Sequence, residues 1–182
     1  ITGQSVMVTG AGGSIGSELC RQIIAINPSR LILLDTFEFG LYKLEAELIE
    51  KLQGIEGGGN IEIVSLLGSV GNRRQMENAI RNFKVDTVYH VAAYKQVPMV
   101  EKNVVEGVQN NIFGTLVSAQ AAEKFKVKNF VLISTDKAVR PTNFMGATKR
   151  FAEQVLQALA ARDSGTKFSM VRFGNVLGSS GS

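Results

Sequence analysis

The stretch Val6-Met7-Val8-Thr9-Gly10-Ala11-Gly12-Gly13-Ser14-Ile15-Gly16 decides the fold. A short β-prone run ends in glycines at 10, 13 and 16, at the mouth of a segment with helical periodicity over residues 15–26. That spacing serves a phosphate-bearing ligand. Gly10 permits a tight turn, Gly13 lets backbone approach a pyrophosphate, and Gly16 lets the helix lie close to the strand, while Ser14 and Ile15 open the helix whose first amides meet the anion. Asp35 ends the next apolar run, 19 residues after Gly16, where a carboxylate can accept from both hydroxyls of a ribose. A Gly-Lys-Ser/Thr ending, which an ATP-type phosphate loop requires, does not follow the glycines. A carboxylate at Asp35 repels a ribose 2′-phosphate, which favours NAD over NADP.

Outward from this motif, short apolar runs at 6–9, 31–35, 61–65, 87–91, 130–134 and 168–173 alternate with helical patterns at 15–26, 41–52, 73–83, 105–125 and 145–162. Strand and helix in alternation predict α/β architecture, a doubly wound parallel sheet of six strands with helices on both faces. With 182 residues and 45% hydrophobic content, one core and one domain are expected. Gly54 and Gly57 to Gly59 read as a turn before the third strand, and the Gly/Ser-rich run from Gly174 to Ser182 reads as an open end.

The ligand edge of such a sheet lies at the strands' C-terminal ends. After the third strand, Ser69 and Val70 are placed to flank an adenine. After the fifth come Thr135, Asp136 and Lys137, a hydroxyl, a carboxyl and an amine in succession. Lone Cys20 and lone His90 leave no set of ligands for a structural zinc or a multi-histidine metal centre, and no disulfide can form within the chain, which fits a reducing compartment. His90 reads as a packed strand-end residue. A net charge of +4 is compatible with a phosphate-bearing ligand, an anionic surface or nucleic acid. The densest basic patch, Lys124, Lys126 and Lys128, lacks stacking aromatics for a nucleic-acid groove and reads as a solvated turn or, alternatively, a membrane or partner contact. No apolar run reaches the ~18 to 20 residues that span a bilayer, and no secretory leader pattern opens the chain, so a cytoplasmic location is expected.

The pattern Thr-Gly-x-x-Gly-x-x-Gly resembles the extended short-chain dehydrogenases, which have an NAD(P)-binding Rossmann fold. His90-Val91-Ala92-Ala93-Tyr94-Lys95, Asn111-Ile112-Phe113-Gly114-Thr115, Ser134-Thr135-Asp136-Lys137, Met145-Gly146-Ala147-Thr148-Lys149 and Arg172-Phe173-Gly174-Asn175 narrow the resemblance to the polysaccharide-biosynthesis branch of UDP-N-acetylglucosamine 4,6-dehydratases. The resemblance covers essentially the whole chain. It implies a lyase using NAD that oxidises C4 of UDP-N-acetylglucosamine transiently, eliminates water across C5 and C6, and feeds surface-glycan assembly. It implies that Ala92, Ala93 and Lys95 lie along the cofactor, that Lys149 bonds the nicotinamide ribose and that Asn175 contacts the nucleotide-sugar. Thr135 can bond the C4 oxygen, Asp136 can protonate the leaving C6 oxygen, and Lys137 can take the C5 proton if burial and a cation such as Lys149 depress its pKa.

Most family members carry Tyr where Met145 stands, and a thioether accepts no proton from a sugar hydroxyl. Either Asp136 or water takes that proton here, or the domain binds NAD without turnover. Long, membrane-anchored members of the branch share Met at this position. The resemblance implies a fragment over residues 1–182 whose substrate lobe and upstream transmembrane region lie elsewhere, membrane attachment only through those regions, and a homo-oligomer. A nucleotide-sugar 4-epimerase and a non-catalytic NAD-binding module remain the competing readings.

Overall fold

The computed structural model describes residues 1–54 and 60–175. The expected turn at Gly57 to Gly59 and the Gly/Ser-rich run beyond Asn175 fall outside the described residues. Six strands form one parallel sheet: β1 (Ser5–Thr9), β2 (Arg30–Asp35), β3 (Glu62–Leu67), β4 (Thr87–His90), β5 (Asn129–Thr135) and β6 (Lys167–Phe173), in the order β3-β2-β1-β4-β5-β6. Between them run α1 (Ser14–Ile24), α2 (Glu38–Gln53), α3 (Arg73–Asn82), α4 (Val97–Lys102), α5 (Val104–Val108), α6 (Gly114–Lys124) and α7 (Phe144–Ala160). This is the doubly wound Rossmann arrangement that the alternating pattern predicts.

Period-two alternation in the strands builds two cores. Val6, Val8, Leu31 and Leu33 pack with Cys20 and Ile23 of α1 and Leu41, Leu44 and Leu48 of α2 on one face. Met7, Ile32, Val88, Phe130 and Leu132 pack with Met76 and Ile80 of α3, Ala119 of α6 and Leu156 of α7 on the other. Chain order reverses between β1 and β4, which pair directly from Val6↔Thr87 to Thr9↔His90. The loops leaving these two strands therefore part company at their C-terminal ends and open a crevice.

Three elements differ from the sequence reading. β3 lies over Glu62–Leu67 rather than 61–65 because its ladder with β2 continues to Asp35↔Leu67. The helix expected over 105–125 runs without a break from Val104 to Lys124, but as α5, a π-helical turn at Gln109–Phe113, and α6 in succession. Close contacts flank the π turn: a Cβ at Gly107 would fall 2.7 Å from Val100 Cγ1, and one at Gly114 2.7 Å from Val70 Cγ2. The short α4, which opens with Pro98 in its first turn, had no periodic signal long enough to read.

Among the described residues no helix is long and apolar enough to cross a membrane, and no group of three or more His, Cys, Asp or Glu could hold a metal ion. In the basic patch, Lys126 takes a left-handed turn (φ 56°), while Lys124 pairs with Glu77 at 2.6 Å and Lys128 with Asp86 at 2.9 Å.

Phe130 is fully buried in the middle of β5, its ring 5.6 Å from His90 and 5.7 Å from Phe168. Phe130→Ala should lower the unfolding free energy by about 3 to 5 kcal/mol, read as a lower urea midpoint at unchanged slope.

Candidate functional site

A cleft of about 570 Å³ opens at the C-terminal ends of β1, β4 and β5. The glycine loop forms one wall. Gly10 has φ +69°, and a Cβ there would fall 2.6 Å from the Ala92 amide nitrogen; a Cβ at Gly16 would run into the Gly10 carbonyl. Gly13 is different: its Cβ position meets only the Gly10 oxygen at 3.4 Å, and the residue lines the cleft with Gly10, Ser14, Ile15 and Gly16. α1 begins at Gly13 with no side-chain cap and no acid in its first turn, which is how a helix end receives an anion.

Asp35 faces the loop. Its Oδ2 accepts the Gly12 amide at 2.8 Å and its Oδ1 the Phe37 amide at 3.0 Å. A carboxylate has about four acceptor positions, so capacity remains for ribose hydroxyls. Val70, Ala92, Ala93 and Lys95 also line the cleft. A dinucleotide, with its pyrophosphate over Gly13 and a ribose at Asp35, fits these residues. Ser69 does not join them: its hydroxyl accepts the Gly71 amide at 3.2 Å and its carbonyl the Asn72 amide at 3.0 Å, so it builds the turn that leads into α3.

At the other end, β5 and β6 run in register to Thr135↔Phe173, which brings Gly174 and Asn175 beside the Thr135-Asp136-Lys137 turn. Thr135, Lys137, Met145, Lys149 and Asn175 all line the cleft; Asp136 stands just outside its lining. The Thr135 hydroxyl donates to Asp136 Oδ1 at 3.0 Å and accepts the Lys137 amide at 3.3 Å. The bond from Thr135, with the Lys137 charge adding to it, holds the Asp136 carboxyl below its usual range. Lys137 Nζ donates to Asn175 Oδ1 at 3.1 Å and lies 3.7 Å from Asp136. The burial expected at Lys137 falls on Lys149 instead. Lys137 keeps 39% of its side chain exposed because it stands on the turn after β5, whereas Lys149 faces inward from α7 and is 5% exposed.

Lys149 Nζ donates to the Ile133 carbonyl at 2.7 Å. Burial pulls its pKa down to about 8 against the attraction of Glu153. Met145, four residues earlier on the same helix, is 3% exposed. Asn143 caps α7 by accepting the Gly146 amide at 2.7 Å, and Glu101 accepts the Phe144 amide, also at 2.7 Å. His90 is structural. The Thr115 hydroxyl gives its proton to the Asn111 carbonyl (2.7 Å) and so accepts from His90 Nε2 (3.0 Å), leaving Nδ1 to accept from Thr9 (2.9 Å). Burial, then the Lys149 charge, lower its pKa to about 3, so the ring is neutral.

Two groups that shape the site carried no role in the sequence reading. Glu153 is fully buried; Ser134 (2.7 Å), Arg172 through two nitrogens (2.8 and 2.7 Å) and Arg150 (3.0 Å) all donate to it. Burial raises its pKa, but those donors outweigh it and hold the carboxyl at about 2. It ties β5, β6 and α7 together beside the Thr135 turn. Asn111 exchanges two hydrogen bonds with the Tyr94 backbone (2.8 and 3.0 Å) and donates to Thr148 at 3.0 Å, fixing the loop after β4 against α7. A glutamate four residues after Lys149, on the same helix face, was the available signal for the first; the second opens the Asn111-Ile112-Phe113-Gly114-Thr115 motif, which marked the segment but not the bonds of its side chain.

A family profile described as "Polysaccharide biosynthesis protein" matches residues 6–182. The capsular polysaccharide biosynthesis protein CapD of Staphylococcus aureus is 47% identical over 100% of this chain, which spans 30% of that protein. A UDP-N-acetylglucosamine 4,6-dehydratase (inverting) of Campylobacter jejuni is 30% identical over 99% of this chain and 51% of its own length. A UDP-glucose 4-epimerase of Rickettsia canadensis is 33% identical over 98% and 51%. The crystal structure of Pen from Bacillus thuringiensis superposes with a TM-score of 0.87 at 34% identity, covering 100% of this chain and 53% of that one. The chain thus spans about half or less of the relatives it matches.

Above about 8 the folded chain has released the Lys149 proton, while the unfolded chain holds it up to the ordinary 10.5. Unfolding then takes up a proton, so this group makes stability rise with pH across that window. Lys149→Met should abolish the rise, measured as the pH dependence of the urea midpoint against wild type, and the Lys149 Cε resonance should titrate near 8.

Proposed function

We propose that this chain, which belongs to the polysaccharide biosynthesis protein family, is the cofactor-binding part of a nucleotide-sugar-modifying enzyme, and that the reaction is 4,6-dehydration of UDP-N-acetylglucosamine. The observation that carries the reading is the cluster at the sheet edge: Thr135, Lys137 and Asn175 in one cleft with the buried Lys149, and Asp136 bonded to Thr135. An elimination needs both an acid and a base near the sugar, and this turn holds a carboxyl and an amine 3.7 Å apart.

NAD is the dinucleotide that suits Asp35, because its carboxylate repels a 2′-phosphate. Bound there, it would supply a hydride acceptor for oxidation of the sugar and a hydride donor after elimination. The chain's own residues do the rest. Lys149 bonds the nicotinamide ribose from the cleft wall. Thr135 bonds the C4 oxygen, Lys137 in its neutral form takes the C5 proton, Asp136 gives a proton to the departing C6 oxygen, and Asn175 both contacts the nucleotide-sugar and orients Lys137. Met145 offers only bulk, since a thioether sulfur has no proton to exchange. Exposed Val105 and Phe113, between the start of α5 and the π-helical turn, and Phe144 and Phe151 of α7 leave apolar surface that a second copy could cover, which supports a homo-oligomer.

The kinship with UDP-glucose 4-epimerases favours a second reading, oxidation and re-reduction at C4 without loss of water. Mass spectrometry separates the two. Incubated with UDP-N-acetylglucosamine and NAD, the protein should yield a sugar nucleotide lighter by one water, and Lys137→Ala should abolish that product. A sugar of unchanged mass but inverted C4 in the NMR spectrum selects the epimerase, and unchanged sugar with NAD bound selects a silent binding module. Calorimetry tests the cofactor site separately: Asp35→Asn, which removes charge-assisted bonds worth about 1.5 to 3 kcal/mol, should weaken NAD binding roughly 10- to 100-fold.

A further inference from the structure

The bonding of one hydroxyl goes further than this assignment. Thr135 Oγ1 has one proton and two acceptor positions. Its proton is committed to Asp136 Oδ1 at 3.0 Å, and one acceptor position is filled by the Lys137 amide at 3.3 Å. A single acceptor position is left, on a residue that lines the cleft, while the exposed Asp136 stands outside that lining, beside Gly174, whose Cβ position is 3.8 Å from Asp136 Oδ2. A sugar hydroxyl meeting Thr135 therefore donates to it. Of its neighbours in the cleft, Met145 has no basic atom, the His90 ring is sealed between Thr9 and Thr115, Lys149 is turned to the Ile133 carbonyl, and Lys137 is bonded to Asn175.

We propose, resting on the dehydratase reading, that Thr135 and Asp136 form a proton relay standing in for a tyrosine base, so that the proton removed from the C4 hydroxyl is the one later delivered to the departing C6 oxygen. In the oxidation, the O4–H bond breaks and its proton joins Thr135 Oγ1 as the Thr135 proton crosses to Asp136. The C4 hydrogen leaves with its electron pair for the nicotinamide, the oxidant, and C4 becomes a carbonyl. In the elimination, Lys137 in its neutral form takes the C5 proton, the C6–O bond breaks, and the proton stored on Asp136 completes the water. Asp136 returns to carboxylate. The C5 proton on Lys137 goes back when the hydride reaches C6, so the only net loss is one water. A carboxyl held in the ionised state by Thr135 starts this sequence as acceptor and becomes an acid only after oxidation. One group thus serves two consecutive steps.

The holoenzyme with NAD, given UDP-N-acetylglucosamine, distinguishes the relay from a carboxyl that acts in elimination alone. The relay requires Asp136→Asn to lose sugar-dependent reduction of the nicotinamide, read by its near-ultraviolet absorbance, at least 100-fold. Thr135→Val should lose it likewise and Thr135→Ser should restore it. The wild-type rate should fall only as acid titrates a carboxyl below its ordinary range. Without sugar or cofactor, the Asp136 carboxyl carbon should titrate higher in Thr135→Val than in wild type, with Thr135→Ser unchanged. An Asp136→Asn enzyme that still reduces the nicotinamide and accumulates a 4-keto sugar retaining its water overturns the relay and leaves the dehydratase intact. An unmoved Asp136 titration in Thr135→Val overturns it as well. A wild-type protein that binds both ligands and changes neither sinks the dehydratase reading and the relay together.

Discussion

The structure depends on how closely the backbone at Gly10 approaches the backbone at Ala92. β1 and β4 pair up to Thr9 and His90, after which the chain must turn one way toward α1 and the other toward α4. The turn at Gly10 needs a left-handed φ, has no room for a Cβ on the Ala92 side, and passes directly beneath Gly16 of α1. Where those backbones part, a cleft is left whose floor is main chain. Its amides and small residues admit a flat, phosphate-bearing ligand that side chains of ordinary size would exclude.

A second constraint is electrostatic. Lys149, Glu153 and His90 are all removed from water, and a buried group of this kind is tolerated only when its bonding is complete. Glu153 has donors from β5, β6 and its own helix; His90 gives up its charge and bridges two threonines; Lys149 rests on a main-chain carbonyl. Lys149 and Glu153 are one helical turn apart on α7, so the same helix face that presents an amine to the cleft anchors the strands that carry Thr135 and Asn175. The strands that carry the site are thus held by the Glu153 ion cluster, whose carboxylate does not line the cleft.

Six strands, their approximate limits and the phosphate loop were legible in the sequence, because each rests on local periodicity or on glycines whose spacing has one steric explanation. Legibility failed where a distant contact decides. β3 extends past 65 because β2 offers it partners, and the helix expected over 105–125 forms but takes a π turn between Gly107 and Gly114, which seat Val100 and Val70. Ser69 reads the same as Val70 in one dimension, yet one side chain closes a turn and the other enters the cleft.

What the sequence by itself determined is which residues can do chemistry and on which edge of the sheet they stand, since strand alternation and motif spacing are properties of neighbours along the chain. Which of two lysines is buried, and that Asn175 meets Lys137, were decided by the tertiary structure alone. Burial and hydrogen-bond partnership are made by residues tens of positions apart, and no local pattern records which of them will meet.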